Sequence, residues 1–162
     1  MKNNPLYKRV LLKLSGEALV ASPNDHGFHG KALDSITASI KKLYDGNIEV
    51  GIVIGAGNIF RGAEGAAFNL GRESSDYAGM LATMINGIVL QQKLTSMGCE
   101  CYVMSALGAM ECVEPFSHHR ALNLLSHKAI VIFAGGCGNP YSTTDTAAAL
   151  RAGETRAEIL LK

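Results

Sequence analysis

The sequence predicts an α/β protein built on a mostly parallel sheet sandwiched between helices, and three observations carry that expectation. Short β-branched or leucine-rich runs alternate with longer stretches of helical periodicity along the whole chain. Three of the apolar runs empty directly into glycine-bearing loops: Ser15-Gly16-Glu17, the segment from Gly55 to Gly62, and the segment from Gly135 to Asp145. The last loop runs into an alanine-rich helical stretch opened by hydroxyls and a carboxylate, as a strand–loop–helix unit should.

Taken in order, residues 7–14 form the first expected strand, with Lys13 near its end. Residues 31–44 follow as a helix, because Leu33, Ile36, Ile40 and Leu43 recur on one face. A second strand spans 49–54 and empties into Gly55-Ala56-Gly57-Asn58-Ile59-Phe60-Arg61-Gly62. Residues 75–97 make a long helix in which Met80, Leu81, Met84, Ile85, Ile88 and Val89 have helical spacing, as core or as a subunit contact. Then come a strand at 100–104, a helix at 117–125 and an apolar strand at 129–133. A helix over 146–151 and a strand over 158–161 complete the pattern. The chain stops at Leu160-Leu161-Lys162, directly after what is expected to be an inner strand, so the natural protein is expected to continue.

With 162 residues and 48% apolar composition, the chain 1–162 reads as a single domain with one substantial core. Fifteen basic residues nearly balance fourteen acidic ones, which argues against nucleic acid or an anionic membrane as a partner. Met1-Lys2-Asn3-Asn4-Pro5 is polar and no apolar run approaches a membrane span, so a soluble, cytoplasmic protein is expected. Cys99, Cys101, Cys112 and Cys137 lack a Cys-x-x-Cys spacing and read as reduced, mainly core residues. Nor does His118-His119-Arg120 read as a metal site, since adjacent helical residues point in different directions.

In an open parallel sheet, ligands bind at the carboxyl ends of the strands, so the three glycine loops can share one crevice. Glycine lets a backbone approach a ligand closely, and a helix N-terminus offers N–H groups to an anion. Neither common phosphate signature fits. Gly30-Lys31 is followed by Ala32 rather than a hydroxyl residue, and the loop at Gly55 has its third glycine at Gly62. Singly, each candidate has an ordinary reading: Lys13 and Arg61 as solvated cations, Asp76 as a first-turn helix carboxylate, Thr143 and Thr144 as caps.

Jointly they say more. Lys13-Leu14-Ser15-Gly16-Glu17-Ala18, the Gly55 to Gly62 loop, Asp76 with Gly79-Met80-Leu81-Ala82-Thr83, and Gly138-Asn139-Pro140 with Thr143-Thr144-Asp145 resemble the bacterial uridylate kinases of the amino acid kinase family. The order and spacing match over nearly the whole chain from Tyr7. The resemblance implies a carbamate kinase-like fold and transfer of the γ-phosphoryl group of ATP to UMP, with Mg2+ accompanying ATP. By the same resemblance, Lys13, Leu14, Ser15, Gly16, Gly57 and Arg61 serve ATP, and Lys13, Arg61 and Asp145 are catalytic, Asp145 as organiser of catalytic lysines. Ala56 and Asp76 serve UMP, Asp76 through its ribose hydroxyls. The strip Cys137, Gly138, Asn139, Pro140, Tyr141, Ser142, Thr143 and Thr144 serves uracil and the acceptor phosphate. A homohexamer with nucleoside triphosphate effectors is also implied, and no protein-borne metal ligands.

The sequence departs from the family pattern at Ala56, where a glycine is usual, and at Cys137, where threonine is common. It is also shorter, and the remaining part of such proteins holds most of the adenine site and a further piece of sheet. A nucleotide-binding or assembly module without transferase activity is therefore the alternative. A sibling kinase acting on a carboxylate or carbamate is disfavoured by Gly138-Asn139-Pro140 followed by Thr143-Thr144-Asp145.

Overall fold

Alternate residues along the strands feed two separate cores, one on each face of a six-stranded sheet. Val10 and Leu12, Val50, Ile52 and Ile54, Val103, and Ile130 and Ile132 point to one face. Leu11, Val53, Met104, Val131 and Phe133 point to the other. Because both faces are covered, the strands read as continuous apolar runs rather than alternating ones. Each fully buried leucine or isoleucine in them stabilises the fold by about 1.5–3 kcal/mol.

The computed structural model describes residues 5–22, 25–108 and 111–162; the polar stretch from Met1 to Asn4 lies outside them. The strands are β1 (Arg9–Leu14), β2 (Glu49–Ile54), β3 (Cys101–Ser105), β4 (Glu114–Pro115), β5 (Ile130–Ala134) and β6 (Ile159–Leu161). They lie in the order β4-β3-β5-β2-β1-β6, with every pairing parallel. Helices α1 (Gly30–Asp45) and α3 (Arg72–Ser96) cover the first face through Ile40, Met84, Leu90 and Leu94. Helices α4 (His118–Ser126) and α5 (Thr144–Thr155) cover the second through Ala121, Leu124, Leu125, Ala147 and Ala148.

The expected elements are present with ends shifted by a few residues, and three short ones were not expected. These are a 3-10 turn at Gly16–Leu19, the helix α2 (Gly62–Ala67) and the two-residue strand β4. The long helix opens at Arg72 rather than at Ser75, and α5 runs on to Thr155. Among the described residues β6 pairs with β1 alone. The methionine-rich stretch of α3 is divided between two roles. Met80 and Met84 are buried, while Leu81 and Ile85 are about half exposed on the outer side. Cys99 and Cys101 are buried, and burial pushes the Cys101 thiol up to about 12 and raises the Cys99 pKa, whereas Cys112 is exposed and departs from the core expectation.

At the amino edge of the sheet sits an ion cluster. The Glu49 carboxylate, 1% exposed, accepts from Arg9 Nε at 2.6 Å, with Lys8 Nζ at 3.4 Å and Lys128 Nζ at 3.6 Å. Burial alone would raise its pKa, but the Arg9 hydrogen bond and the charges around it hold it below the ordinary carboxylate value.

Candidate active site

Register brings the three glycine loops to one line. Leu14 pairs with Ile54 and Val53 with Phe133, so β1, β2 and β5, adjacent in the sheet, end level with one another. The loops that begin at Ser15, Gly55 and Gly135 therefore emerge side by side at the carboxyl edge, as the sequence led us to expect.

Two cations converge beside them. Lys13 Nζ lies 2.9 Å from Asp145 Oδ1, and Lys162 Nζ lies 2.6 Å from Asp145 Oδ2. Asp145 stands in the first turn of α5, over the second face of the sheet. Parallel register pairs Leu12 with Leu161, so the next residues, Lys13 and Lys162, are neighbours projecting to that same face. The hydrogen bonds from Lys162 and then from Lys13 hold the Asp145 carboxyl below its ordinary pKa. Sequence reasoning missed Lys162, because only the strand order reveals that the chain's last residue returns to the first strand.

The loop after β2 turns its carbonyls inward. Gly55 O accepts from Asn86 Nδ2 at 2.7 Å, and Ala56 O accepts from the N–H groups of Ile59 and Phe60 at 2.9 Å each. Gly57 O accepts from Arg61 Nε at 2.8 Å and Asn58 O from Gly27 N–H at 2.7 Å. Four consecutive carbonyls are thus engaged within the protein. Gly16 packs against this loop so closely that a Cβ there would stand 2.8 Å from Gly57 N and 2.9 Å from Gly55 O. Ser15 caps the 3-10 turn, its Oγ accepting from Glu17 N–H at 3.3 Å. Leu14 contributes its carbonyl, which accepts from Gly55 N–H at 2.8 Å.

The loop after β5 is held by α3. Thr83 Oγ1 accepts from Gly135 N–H at 2.8 Å, and Asp76 Oδ2 accepts from Tyr141 N–H at 2.7 Å. Arg72 Nε reaches both oxygens of Asp76 at 2.9 Å, and its guanidinium lies 5.7 Å from the Tyr141 ring centre. The Tyr141 N–H bond first, then Arg72, keep Asp76 ionised below its usual range. Asp76 is in the second turn of α3, where the helix dipole has weakened. Its charge is stabilised by these two partners instead. Thr143 caps α5, its Oγ1 accepting from Thr146 N–H at 3.1 Å.

Between α3 and these loops opens a cavity of about 160 Å3. Of the residues expected from the sequence, Ala56, Asp76, Asn139, Ser142, Thr143 and Thr144 line it. Its wall also includes Phe60, Ser75 and Thr83, to which the sequence reading gave no role. Gly138, Pro140 and Tyr141 belong to the same loop but do not line the cavity. Cys137 is elsewhere: it faces a separate recess with Phe116, Arg151 and Glu154. Gly136 and Gly138, with φ of 57° and 80°, turn the chain on either side of it. Lys13, Ser15, Gly16, Gly57 and Arg61 stand at or just beyond the ends of β1 and β2, and Asp145 in α5; none of them lines that cavity.

No group of three or more His, Cys, Asp or Glu side chains that could hold a metal ion occurs among the described residues, and Asp145 is engaged by two lysines. The donor set among the described residues does not fit a protein-held Mg2+. Among the described residues no helix is long and apolar enough to cross a membrane.

Comparison with solved structures agrees with this geometry. The UMP kinase of Bacillus anthracis superposes with a TM-score of 0.91 at 41% identity, over 95% of this chain and 63% of that one. The UMP kinase of Ureaplasma parvum gives 0.89 at 31% identity, over 96% of this chain and 68% of that one. This chain therefore spans about two thirds of the length of these relatives. The sequence model of the amino acid kinase family matches residues 8–162, and the chain, with its parallel sheet and loop-lined carboxyl edge, belongs to that family.

Proposed function

We propose that the chain is the UMP- and phosphate-binding part of a UMP kinase, which transfers the γ-phosphoryl group of ATP to UMP in the cytoplasm for pyrimidine nucleotide synthesis. The observation that carries the reading is the pairing of Lys13 and Lys162 on Asp145 beside a cavity lined by Asp76, Asn139 and Thr144. A UMP phosphate oxygen attacks the γ-phosphorus while the bond from that phosphorus to the β,γ-bridging oxygen breaks, giving UDP and ADP. The protein has little covalent work to do in such a reaction; it must align two phosphates and place positive charge around the transferring group. Lys13 and Lys162 supply that charge, gathered and oriented by Asp145. Arg61 and the peptide N–H groups near Gly57 serve the phosphate crevice. Asp76 accepts ribose hydroxyls, and the strip from Cys137 to Thr144 reads uracil, with Asn139 and Thr144 on the cavity wall and Cys137 contributing through its backbone. Mg2+ enters as part of the ATP substrate. Assembly into a homohexamer responsive to nucleoside triphosphates belongs to the same reading, and the exposed Leu81 and Ile85 side of α3 suits a subunit contact.

The length relation to the two UMP kinases favours a second reading, in which this chain binds nucleotide without transferring phosphate. Incubation with ATP, Mg2+ and UMP, followed by phosphorus NMR, separates the two. UDP formation supports the kinase reading for this chain. UMP binding without UDP formation supports the second reading, and absence of UMP binding refutes both.

A further inference from the structure

Two buried amides outside the cavity join α3 to the loop after β2. Asn58 and Asn86 are each fully buried, and they face one another as a reciprocal pair. Asn86 Nδ2 donates to Asn58 Oδ1 at 2.7 Å, and Asn58 Nδ2 donates to Asn86 Oδ1 at 3.0 Å. Each amide then spends its second donor on a backbone carbonyl: Asn86 on Gly55 O at 2.7 Å, Asn58 on Gly27 O at 2.8 Å. Gly27 N–H returns a bond to Asn58 O at 2.7 Å, so the segment before α1 is strapped to the same loop from both sides.

Burying polar groups in this number destabilises a protein unless every one is satisfied, and these are. The Gly55–Ala56 peptide is trans, as are the other described peptides, so pinning the Gly55 carbonyl on α3 sends the Ala56 N–H the opposite way. Ala56 lines the cavity. Gly55 N–H is pinned as well, on Leu14 O, so both sides of that residue are fixed. α3 carries Asp76, Thr83 and Asn86 in succession, and through them it grips the β5 loop at two points and the β2 loop at a third.

We propose that Asn86 and Asn58 are positioning residues that fix the Gly55 to Asn58 backbone for a substrate phosphate and tie the Gly27 segment to that crevice. This rests on the UMP-binding reading above. Neither side chain touches the substrate; the pair acts through the backbone of residues 55–58.

The experiment measures uridine and UMP affinities by calorimetry for the native chain, Asn86→Ser and Asn58→Ser, together with amide hydrogen exchange in the absence of ligand. The ratio of uridine Kd to UMP Kd isolates the phosphate. It is expected to fall about tenfold in Asn86→Ser, the worth of one charge-assisted contact, while uridine affinity stays within about twofold. Exchange at Gly27, Ile59 and Phe60 is expected to quicken in both variants without change in the β3 and β5 amides. Weakening of uridine and UMP by the same factor, or exchange that is unchanged or faster everywhere, would overturn the proposal. If the native chain itself fails to prefer UMP over uridine, the UMP reading fails, and exchange at Gly27, Ile59 and Phe60 still decides whether the pair fixes the loop. Should Asn86→Ser not fold, Asn58→Ser alone decides on the same readouts.

Discussion

Lys13 and Lys162 approach opposite oxygens of one carboxylate, at 2.9 and 2.6 Å, from neighbouring strands that carry the first and last ordered stretches of the sheet. Two like charges are thus brought together, and the Asp145 carboxylate between them offsets their repulsion.

The carboxylate should report this directly. The Asp145 pKa is depressed in the folded state, so its pairing contributes above the unfolded value of about 3.9 and is lost as pH falls through the lower folded value. Carbon-13 NMR of the Asp145 carboxyl should give a titration below that of a free aspartate. Lys162→Ala and Lys13→Ala should each move the midpoint upward, since both lysines lower the Asp145 pKa. An unmoved midpoint would mean that the lysines are not paired with Asp145 in solution.

Lys13→Ala should abolish phosphoryl transfer in an active form of the enzyme while UMP binding by calorimetry changes little. Loss of one preorganised contact to the transferring group costs on the order of 3 kcal/mol in the barrier. Near-normal turnover would reduce Lys13 to a structural partner of Asp145.

One oxygen of Asp76 already accepts from Tyr141 N–H, so on the proposed UMP reading this residue ties ligand recognition to loop order. UMP should bind about tenfold better than its 2′-deoxy counterpart, as a charge-assisted hydrogen bond predicts. Asp76→Asn keeps an acceptor for Tyr141 and should lose only part of this preference, whereas Asp76→Ala should lose most of it. A sharp drop in melting temperature with the ribose preference intact would make Asp76 a loop anchor alone.

The Glu49 cluster should matter for stability and not for ligand. Glu49→Ala leaves Arg9 without its carboxylate in a mostly buried place, which should cost about 3 kcal/mol in urea unfolding with no change in UMP affinity. Since its folded pKa is depressed, the stabilisation is complete above about 4.3 and is lost as pH falls through the lower folded value. A native-like unfolding midpoint in the variant would show that the cluster is energetically neutral.

The strands and the three loops were legible in the sequence because each is a local signal: an apolar run, then glycine. Residues whose roles depend on pairing were not. Lys162 gains its meaning from the register of β6 beside β1, which no local pattern encodes. Asn58 and Asn86 are neutral residues in a loop and a helix until the fold joins them. β4 is two residues long and contains Pro115, so it has neither the length nor the composition of a strand signal. Thr83 stood within a quoted motif, yet its bond to Gly135 N–H emerges only once α3 packs against the β5 loop. Cys137 stands in the strip that the resemblance gives to uracil, and its place in another recess, between two left-handed glycines, emerges only from the folded loop.

On the proposed reading the cavity between α3 and the β5 loop takes a uridine nucleotide. Calorimetric titration of this chain with UMP and with CMP tests it most directly. UMP should bind saturably and CMP at least about tenfold more weakly, because a site built to pair one polar edge leaves groups unpaired against the other. Equal affinity for the two nucleotides, or no binding of UMP, would contradict it.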